Sequence, residues 1–385
     1  MTKKWVQAVL IAALSMSAIC GCGSSVSDTG KTQGVEAQTG ESGGAGTREN
    51  DAQDAAVRTI TDGADRAVEI PEEVESVVCS GVGALRYTCY MQAQNLVVGV
   101  EDYEQEKDSS RGYSIVNGDQ FAGLPVIGGN GDPYAEEIIT TGPDVIILSA
   151  AGGADPDQLQ QTTGIPVVVI PGSDGMMDED AYETLHILGE VYGKEERAQE
   201  LTDYMDHVKE DLTARTSNVP KEEKPTVYVG GVSFQGLHGF DGTEAGYGPL
   251  AAIGAKNLAD ETGQTGPFNI EKEQVLAWNP DVIFLDYNGM ELIDEDYARN
   301  PEYYEQLTAV REGRVYSQIS FRSYASNLDM ALADTYYAAS VLYPEQFADM
   351  NLEEKMAEIF DTFLGEDISA ELKENGYEFG PITLG

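Results

Sequence analysis

Short, largely apolar runs punctuate the chain at 74–79, 96–100, 145–148, 167–170, 226–230 and 314–317. Bounded as they are by turn residues, they read as strands buried on both faces. Helical patterns lie between them, over 84–94, 133–141, 247–254, 301–310 and 327–342. Alternation of this kind predicts mostly parallel sheets covered by helices on both sides. Ahead of it, residues 58–71 read as a hairpin turning at Asp62-Gly63. Between 180 and 216 the alternation stops. Apolar residues recur there at Ala198, Leu201, Met205, Val208 and Leu212, the three–four spacing of one buried stripe. Gly193 divides a helix over 182–192 from a longer one over 194–215, which at 1.5 Å per residue runs about 33 Å. Strands and helices then resume, closing with a helix over 352–364. The pattern predicts two α/β lobes joined by a single long helix. Residues 58–178 form the N-terminal lobe, 179–216 a lobe helix and the strut, 217–350 the C-terminal lobe, and 351–385 a closing helix and tail.

An internal echo supports duplication. Glu136, Pro143, Asp144, Val145, Ile146 and Leu148 recur as Glu273, Pro280, Asp281, Val282, Ile283 and Leu285, at a constant offset of 137 residues. Asp132 and Asn269 are placed as N-caps, with Pro133 at a first helical position. Pro143 and Pro280 stop each helix, because the residue before proline leaves the α region. One short helix and one strand are therefore expected twice, each with a Glu in the helix's first turns.

Charge narrows the partners. Acidic residues number 67 against 23 basic ones, a formal charge of −44, which excludes nucleic acid as a partner because a phosphate backbone needs Lys and Arg stripes. At the N-terminus, Lys3 and Lys4 precede an apolar run over 6–19, too short for a membrane span, that leads into Ile19-Cys20-Gly21-Cys22. This resembles the bacterial lipoprotein lipobox, an aliphatic and then a small residue before the lipidated Cys. Cys22 fits, since small Gly21 precedes it. Residues 1–21 are then a signal peptide and 22–57, rich in Gly, Ser, Thr and acid, a tether with a reach of roughly 30–35 Å. The chain is expected on the extracytoplasmic face, held to the membrane by its lipid alone. Cys79 and Cys89 remain, either paired in an exported fold or buried as two thiols. No Cys/His spacing supports a zinc site.

Ligands of parallel α/β sheets bind beyond the carboxyl ends of strands. That rule selects the loops at 81–87, 101–114, 150–154, 231–247, 286–290 and 320–324. The side chains in them suited to a bulky, flat or anionic ligand are Arg86, Tyr87, Tyr113, Phe234, His238, Phe240, Tyr247, Arg322 and Tyr324. For the arginines the alternative is an ion pair with one of the many acids. His238 or a loop Tyr would serve as an axial ligand if the solute were haem. Gly81-Val-Gly-Ala-Leu-Arg86 approaches a dinucleotide fingerprint, but Arg86 stands where the third Gly belongs. No nucleophile-and-base pairing is recognisable, and no resident cofactor is expected.

Val77-Val78 with Gly81–Arg86, Leu124-Pro-Val-Ile-Gly128, both Pro-Asp-Val-Ile segments, 231–247, Asn300-Pro-Glu-Tyr-Tyr304 and the stretch 327–347 follow one another in a specific order. Together they resemble the substrate-binding lipoproteins of ABC importers for iron–siderophores, haem and corrinoids, over about residues 58–350. The resemblance implies two Rossmann-like lobes and a monomer without enzyme activity. Its ligand would be a metal chelate, a ferric siderophore first, with haem, corrinoid or another chelate as alternatives. Its partner would be an ABC permease dimer with its ATPase. It also implies permease docking through one surface Glu on each lobe, Glu136 and Glu273 by position. Acids also favour a helix's first turn through the macrodipole alone.

Overall fold

The computed structural model describes residues 56–172 and 175–385. The signal peptide, nearly all of the tether and the lipidation candidate Cys22 lie outside the described residues. The hairpin forms, with β1 (Val57–Thr61) antiparallel to β2 (Ala67–Pro71). Its connection spans 62–66 and is built on Asp62 rather than on a two-residue Asp-Gly turn. The buried Asp62 carboxylate accepts from the N–H groups of Ala64, Arg66 and Val169 and from the Arg66 guanidinium. Burial alone would raise its pKa, but these donors hold it below the usual carboxylate value. One carboxylate thereby fixes the turn and pins the hairpin to the first lobe.

That lobe runs β3 (Val77–Ser80), α1 (Ala84–Tyr90), β4 (Val97–Glu101), α2 (Gly112–Phe121), β5 (Val126–Gly129), β6 (Asp132–Pro133), α3 (Ala135–Thr141), β7 (Val145–Ser149), α4 (Pro156–Thr163) and β8 (Val167–Ile170). The sheet order is β6-β5-β4-β3-β7-β8, parallel except for β6 at the edge. The chain then enters α5 (Glu179–Tyr192), capped by the Asp178 side chain. Gly193, at φ +61°, turns it into α6 (Glu195–Thr216). The expected stripe from Ala198 to Leu212 is buried along α6.

The second lobe comprises β9 (Thr226–Gly230), β10 (Gly242–Ala245), α7 (Gly248–Ala252), β11 (Lys256–Asn257), β12 (Gly266–Asn269), α8 (Lys272–Trp278), β13 (Val282–Asp286), α9 (Met290–Arg299), α10 (Pro301–Tyr304), α11 (Thr308–Arg311), β14 (Val315–Gln318), α12 (Leu328–Leu342), α13 (Leu352–Leu364) and α14 (Ser369–Glu374). A parallel sheet β11-β9-β13-β14 forms its centre, and β10 pairs with β12 antiparallel.

Two expectations at the repeat are corrected. Asp132 and Pro133 do not open α3, because they are drawn into β6 against Gly128 and Gly129, and the helix starts at Ala135. Asn269 likewise ends β12, and α8 starts at Lys272 without a side-chain cap. Glu136 and Glu273 nevertheless fall at the same place, the second residue of each helix.

The lobes share more than the strut. A single buried apolar cluster runs from Val77, Tyr87 and Tyr90 through Leu201, Met205 and Leu212 to Leu332, Phe360 and Phe363. Helix α13 crosses back onto the first lobe. Its Phe363 ring meets Tyr90 edge-on at 5.2 Å, and the Arg197 guanidinium of α6 donates to the Thr362 carbonyl.

Candidate functional site

The sheet orders place the topological switch between β3 and β7 in one lobe and between β9 and β13 in the other, the points at which parallel sheets take ligands. Both switches are built alike. Gly81 (φ +86°) and Gly231 (φ +82°) leave the first strand of each pair. A Cβ there would stand 3.0 Å from the Ser149 Cβ or 2.9 Å from the Asp286 carbonyl, so only glycine lets the strands part so tightly. Ser149 and Asp286 end the partner strands and accept from the N–H groups of Ala151 and Asn288. At the opposite end, the Asp144 and Asp281 side chains accept from the Ser76 and Thr226 N–H groups at 2.9 and 2.8 Å. The sequence echo is thus a structural repeat from clamp to switch. Within the first lobe, the buried Glu101 accepts from Ser80 Oγ and from the N–H groups of Gly81 and Gly131. That accounts for the glycine turn and its distant acid without a dinucleotide.

Across the cleft, the loop 319–327 of the second lobe is grasped by the first. The buried Arg86 donates to the carbonyls of Ser323 and Tyr324, both at 2.7 Å, and of Ser326 at 3.0 Å. On its own side, Arg322 pairs with Glu244 through Nε at 2.9 Å and Nη2 at 2.5 Å. Tyr324 and Ala325 sit at φ +51° and +68°, costly for non-glycine residues and tolerated only where the surroundings impose it. The result aims Tyr324 across the cleft. Its ring lies flat on Tyr103 of the first lobe, centroids 4.1 Å apart and planes 1° from parallel. Arg111 stands beside both rings, 5.4 Å from Tyr103 and 5.3 Å from Tyr324. Its charge is matched by Glu104 and Asp108, each at 3.1 Å.

Two spaces adjoin this stack. An open cavity of about 730 Å³ at the mouth is lined by Tyr103, Tyr324, Arg111, Lys107 and Asn130 with several acids. A separate inner space of about 160 Å³ lies at the first lobe's switch point, against Val82, Ser149, Gly172 and Ala325. Among the described residues, that inner lining holds two carboxylates, Asp178 and Asp180, and no basic side chain. No group of three or more His, Cys, Asp or Glu side chains among the described residues is placed to hold a metal ion.

Beneath the 319–327 loop three buried acids anchor it. Asp286 accepts from Ser320 Oγ, Asp334 from the Ile319 N–H and Glu244 from Arg322. Burial raises all three pKa values. Asp286 is pushed to about 7, with the Glu244 charge adding to the effect and Ser320, Asn288 and Arg322 opposing it.

The sequence profile of the periplasmic binding proteins matches residues 93–318, more than half of the chain. The chain belongs to that family. Over 325 residues it is 23% identical to the molybdate-binding protein MolA of Haemophilus influenzae, covering 80% of this chain and 90% of that one. It is 21% identical over 259 residues to YvrC of Bacillus subtilis, an uncharacterised ABC transporter substrate-binding lipoprotein, covering 67% and 77%. A periplasmic solute-binding protein of Veillonella parvula has the same fold, with a TM-score of 0.66 at 17% identity, over 82% of this chain and 95% of that one. The relatives are solute-binding proteins, and such proteins deliver their ligands to an ABC permease and its ATPase.

Within this periplasmic binding protein the nine candidate ligand residues separate. Tyr324 and Arg322 lie at the cleft, and Arg86 reaches it only to hold the loop carbonyls. Tyr113 is buried, donating to Glu104 at 2.7 Å. Tyr87 belongs to the core shared by the lobes, and Tyr247 is buried with its hydroxyl on Gln318. Phe240 is enclosed in the second lobe's own core beside Tyr228 and Tyr304. Phe234 and His238 stack on each other at 3.9 Å, with the His238 Nε2 hydrogen-bonded to the Phe234 carbonyl. Tyr103, Arg111, Lys107 and Asn130, which line the mouth cavity, are not among the nine. The 101–114 loop was selected, but a second Tyr and an Arg inside an acidic stretch were not distinguished from surface residues. Glu136 and Glu273 are both exposed. Cys79 and Cys89 are buried and free.

Proposed function

We propose that this binding protein captures a chelated iron compound, a ferric siderophore before others, and delivers it to an ABC permease from a lipid anchor at Cys22. The observation that carries the ligand class is the mouth cavity. Its volume suits a drug-sized or chelate-sized solute, and the stacked Tyr103 and Tyr324 offer two aromatic faces from opposite lobes. The inner space argues against a bare oxyanion of the kind MolA is named for, since its lining among the described residues includes two aspartates and no basic residue. The engagement of His238 Nε2 with a carbonyl favours a metal whose coordination is already filled by its chelator. Helices α3 and α8 run back along their sheets, so their first turns stand at the cleft end of each lobe. Exposed carboxylates there suit docking onto a two-fold permease.

Titration by tyrosine fluorescence with ferric catecholate and hydroxamate chelates, haemin, cobalamin and molybdate tests the reading. Submicromolar binding of a ferric chelate is expected. Submicromolar molybdate binding with no response to any chelate would overturn it. Glu136→Ala with Glu273→Ala is expected to keep that binding and abolish uptake.

A further inference from the structure

Large apolar side chains exposed to solvent are few among the described residues, and four of them flank the two repeat glutamates. In the second lobe, Leu237 is 61% exposed and Leu292 37%. Leu237 is not on a slack loop. The stacked and hydrogen-bonded Phe234 and His238 close the loop at its base. Gln235 (φ +50°) and Gly236 (φ +128°) turn the chain sharply just before Leu237. A braced turn with a left-handed non-glycine residue is a costly way to leave a leucine in water, and such strain collects at functional surfaces. Gly239 of the same loop lies over Leu292. Four residues along α9 from Leu292, Asp296 takes the Lys272 ammonium, beside Glu273. Leu237 and Leu292 are thus linked through Gly239, and Leu292 through Asp296 and Lys272 to the start of α8, where Glu273 is exposed.

The first lobe repeats the arrangement with different residues. Tyr134 is 44% exposed at the entrance to α3, and Ile139 is 48% exposed. Ile139 lies three residues after Glu136, on the same side of the helix.

We infer that Leu237 and Leu292, with Tyr134 and Ile139 on the other lobe, are apolar anchors of the permease-docking surface, seated beside the glutamates that orient it. The inference rests on the docking reading above. Its occupant is the extracytoplasmic face of the permease, for two reasons. The anchors lie on or next to the helix starts that carry Glu136 and Glu273, and each lobe presents one carboxylate with two apolar side chains, which suits a two-fold partner. A few buried apolar anchors within a charged surround are what carries most interfaces.

The test uses the producing organism's permease–ATPase complex in nanodiscs and measures association by interferometry. Three proteins are compared: wild type, Leu237→Ser/Leu292→Ser, and Glu136→Ala/Glu273→Ala. Ferric-chelate affinity is measured for each, and mass in solution by light scattering. The leucine variant is expected to associate at least about tenfold more weakly, with chelate affinity within twofold and a monomer mass throughout. Loss with the glutamate pair but not with the leucines overturns the anchors and leaves docking standing. No loss with either pair overturns both. Parallel loss of chelate affinity assigns the leucines to the ligand cleft. A wild-type dimer that the leucine change dissociates assigns them to a second copy. Either result overturns the inference.

Discussion

Asp286 offers a direct test of how the second lobe holds its cleft loop. It ends β13, is 3% exposed, and accepts from Ser320 Oγ and the Asn288 N–H. Burial lifts its pKa from 3.8 to about 7, and the nearby Glu244 charge adds to the rise. In the unfolded chain the carboxyl returns to an ordinary value. Between roughly pH 4 and 7 the native state therefore binds the proton that the unfolded state has lost. This group's contribution to stability is greatest at low pH and is lost as pH rises through that window. A shift of about three units corresponds to roughly 4 kcal/mol of destabilisation above pH 7. Asp286→Asn removes the charge and keeps an acceptor for the Asn288 N–H, while its amide must find a partner among Ser320 and its neighbours. Discounting for that, the variant is expected to be more stable than wild type by about 2 kcal/mol at pH 8. At pH 4.5 the two should be equal, or the variant slightly weaker. Urea unfolding at pH 4.5, 6 and 8 measures this, and comparing two nearly identical chains cancels the titration of the other acids. A variant equally destabilised at all three pH values would refute the argument, because it would mean that Asp286 contributes through its hydrogen bonds alone.

Arg86→Met should cost about 1–3 kcal/mol, chiefly by leaving the buried Ser326 carbonyl without its donor, with the part-buried Ser323 and Tyr324 carbonyls losing theirs as well. It should also make the 322–326 segment the first site of limited proteolysis. Tyr324→Ala should weaken ferric-chelate binding about tenfold while changing unfolding free energy by under about 1 kcal/mol, since the residue is 42% exposed. Burial pushes the Cys79 thiol up to about 12 and raises the Cys89 thiol further from reaction. Native protein at pH 8 should therefore leave both unlabelled by a thiol reagent that modifies them fully in urea.

The strands at 167–170 and 226–230 and the helix at 352–364 were legible to the residue, because apolar runs bounded by Gly or Pro have one sensible reading. Helix α2 was not. Gly112, Ser114, Asn117 and Gly118 are buried in it alongside Tyr113, Ile115 and Phe121, so glycine and polar residues break up the apolar spacing of a helix enclosed almost all round. The caps expected at Asp132 and Asn269 failed for a related reason, since each is claimed by a strand whose partner the local sequence does not reveal. The site followed the same rule. Loop selection from strand ends located the cleft. Which arginine stands at the cavity and which grips a backbone is decided by pairings across some 240 positions, as between Arg86 and Ser326.

That pairing bears on how a solute enters. A single strut would leave the lobes free to rock, but α12 and α13 bury apolar side chains against α1, α2 and α6 in one continuous core. Swinging the lobes apart would expose such rings as Tyr90 and Phe363, at roughly 1.5–3 kcal/mol for each large side chain uncovered. The contacts across the cleft mouth are of another kind. Three hydrogen bonds from Arg86 and one ring stack, with the Arg322–Glu244 pair on the loop's own side, hold a strained loop at the inner space. A solute able to take over the Tyr324 stack replaces part of what it breaks, whereas nothing replaces an opened core. Access by displacement of residues 322–326 is therefore the cheaper route, and the two lobes should keep nearly the same separation with and without ligand.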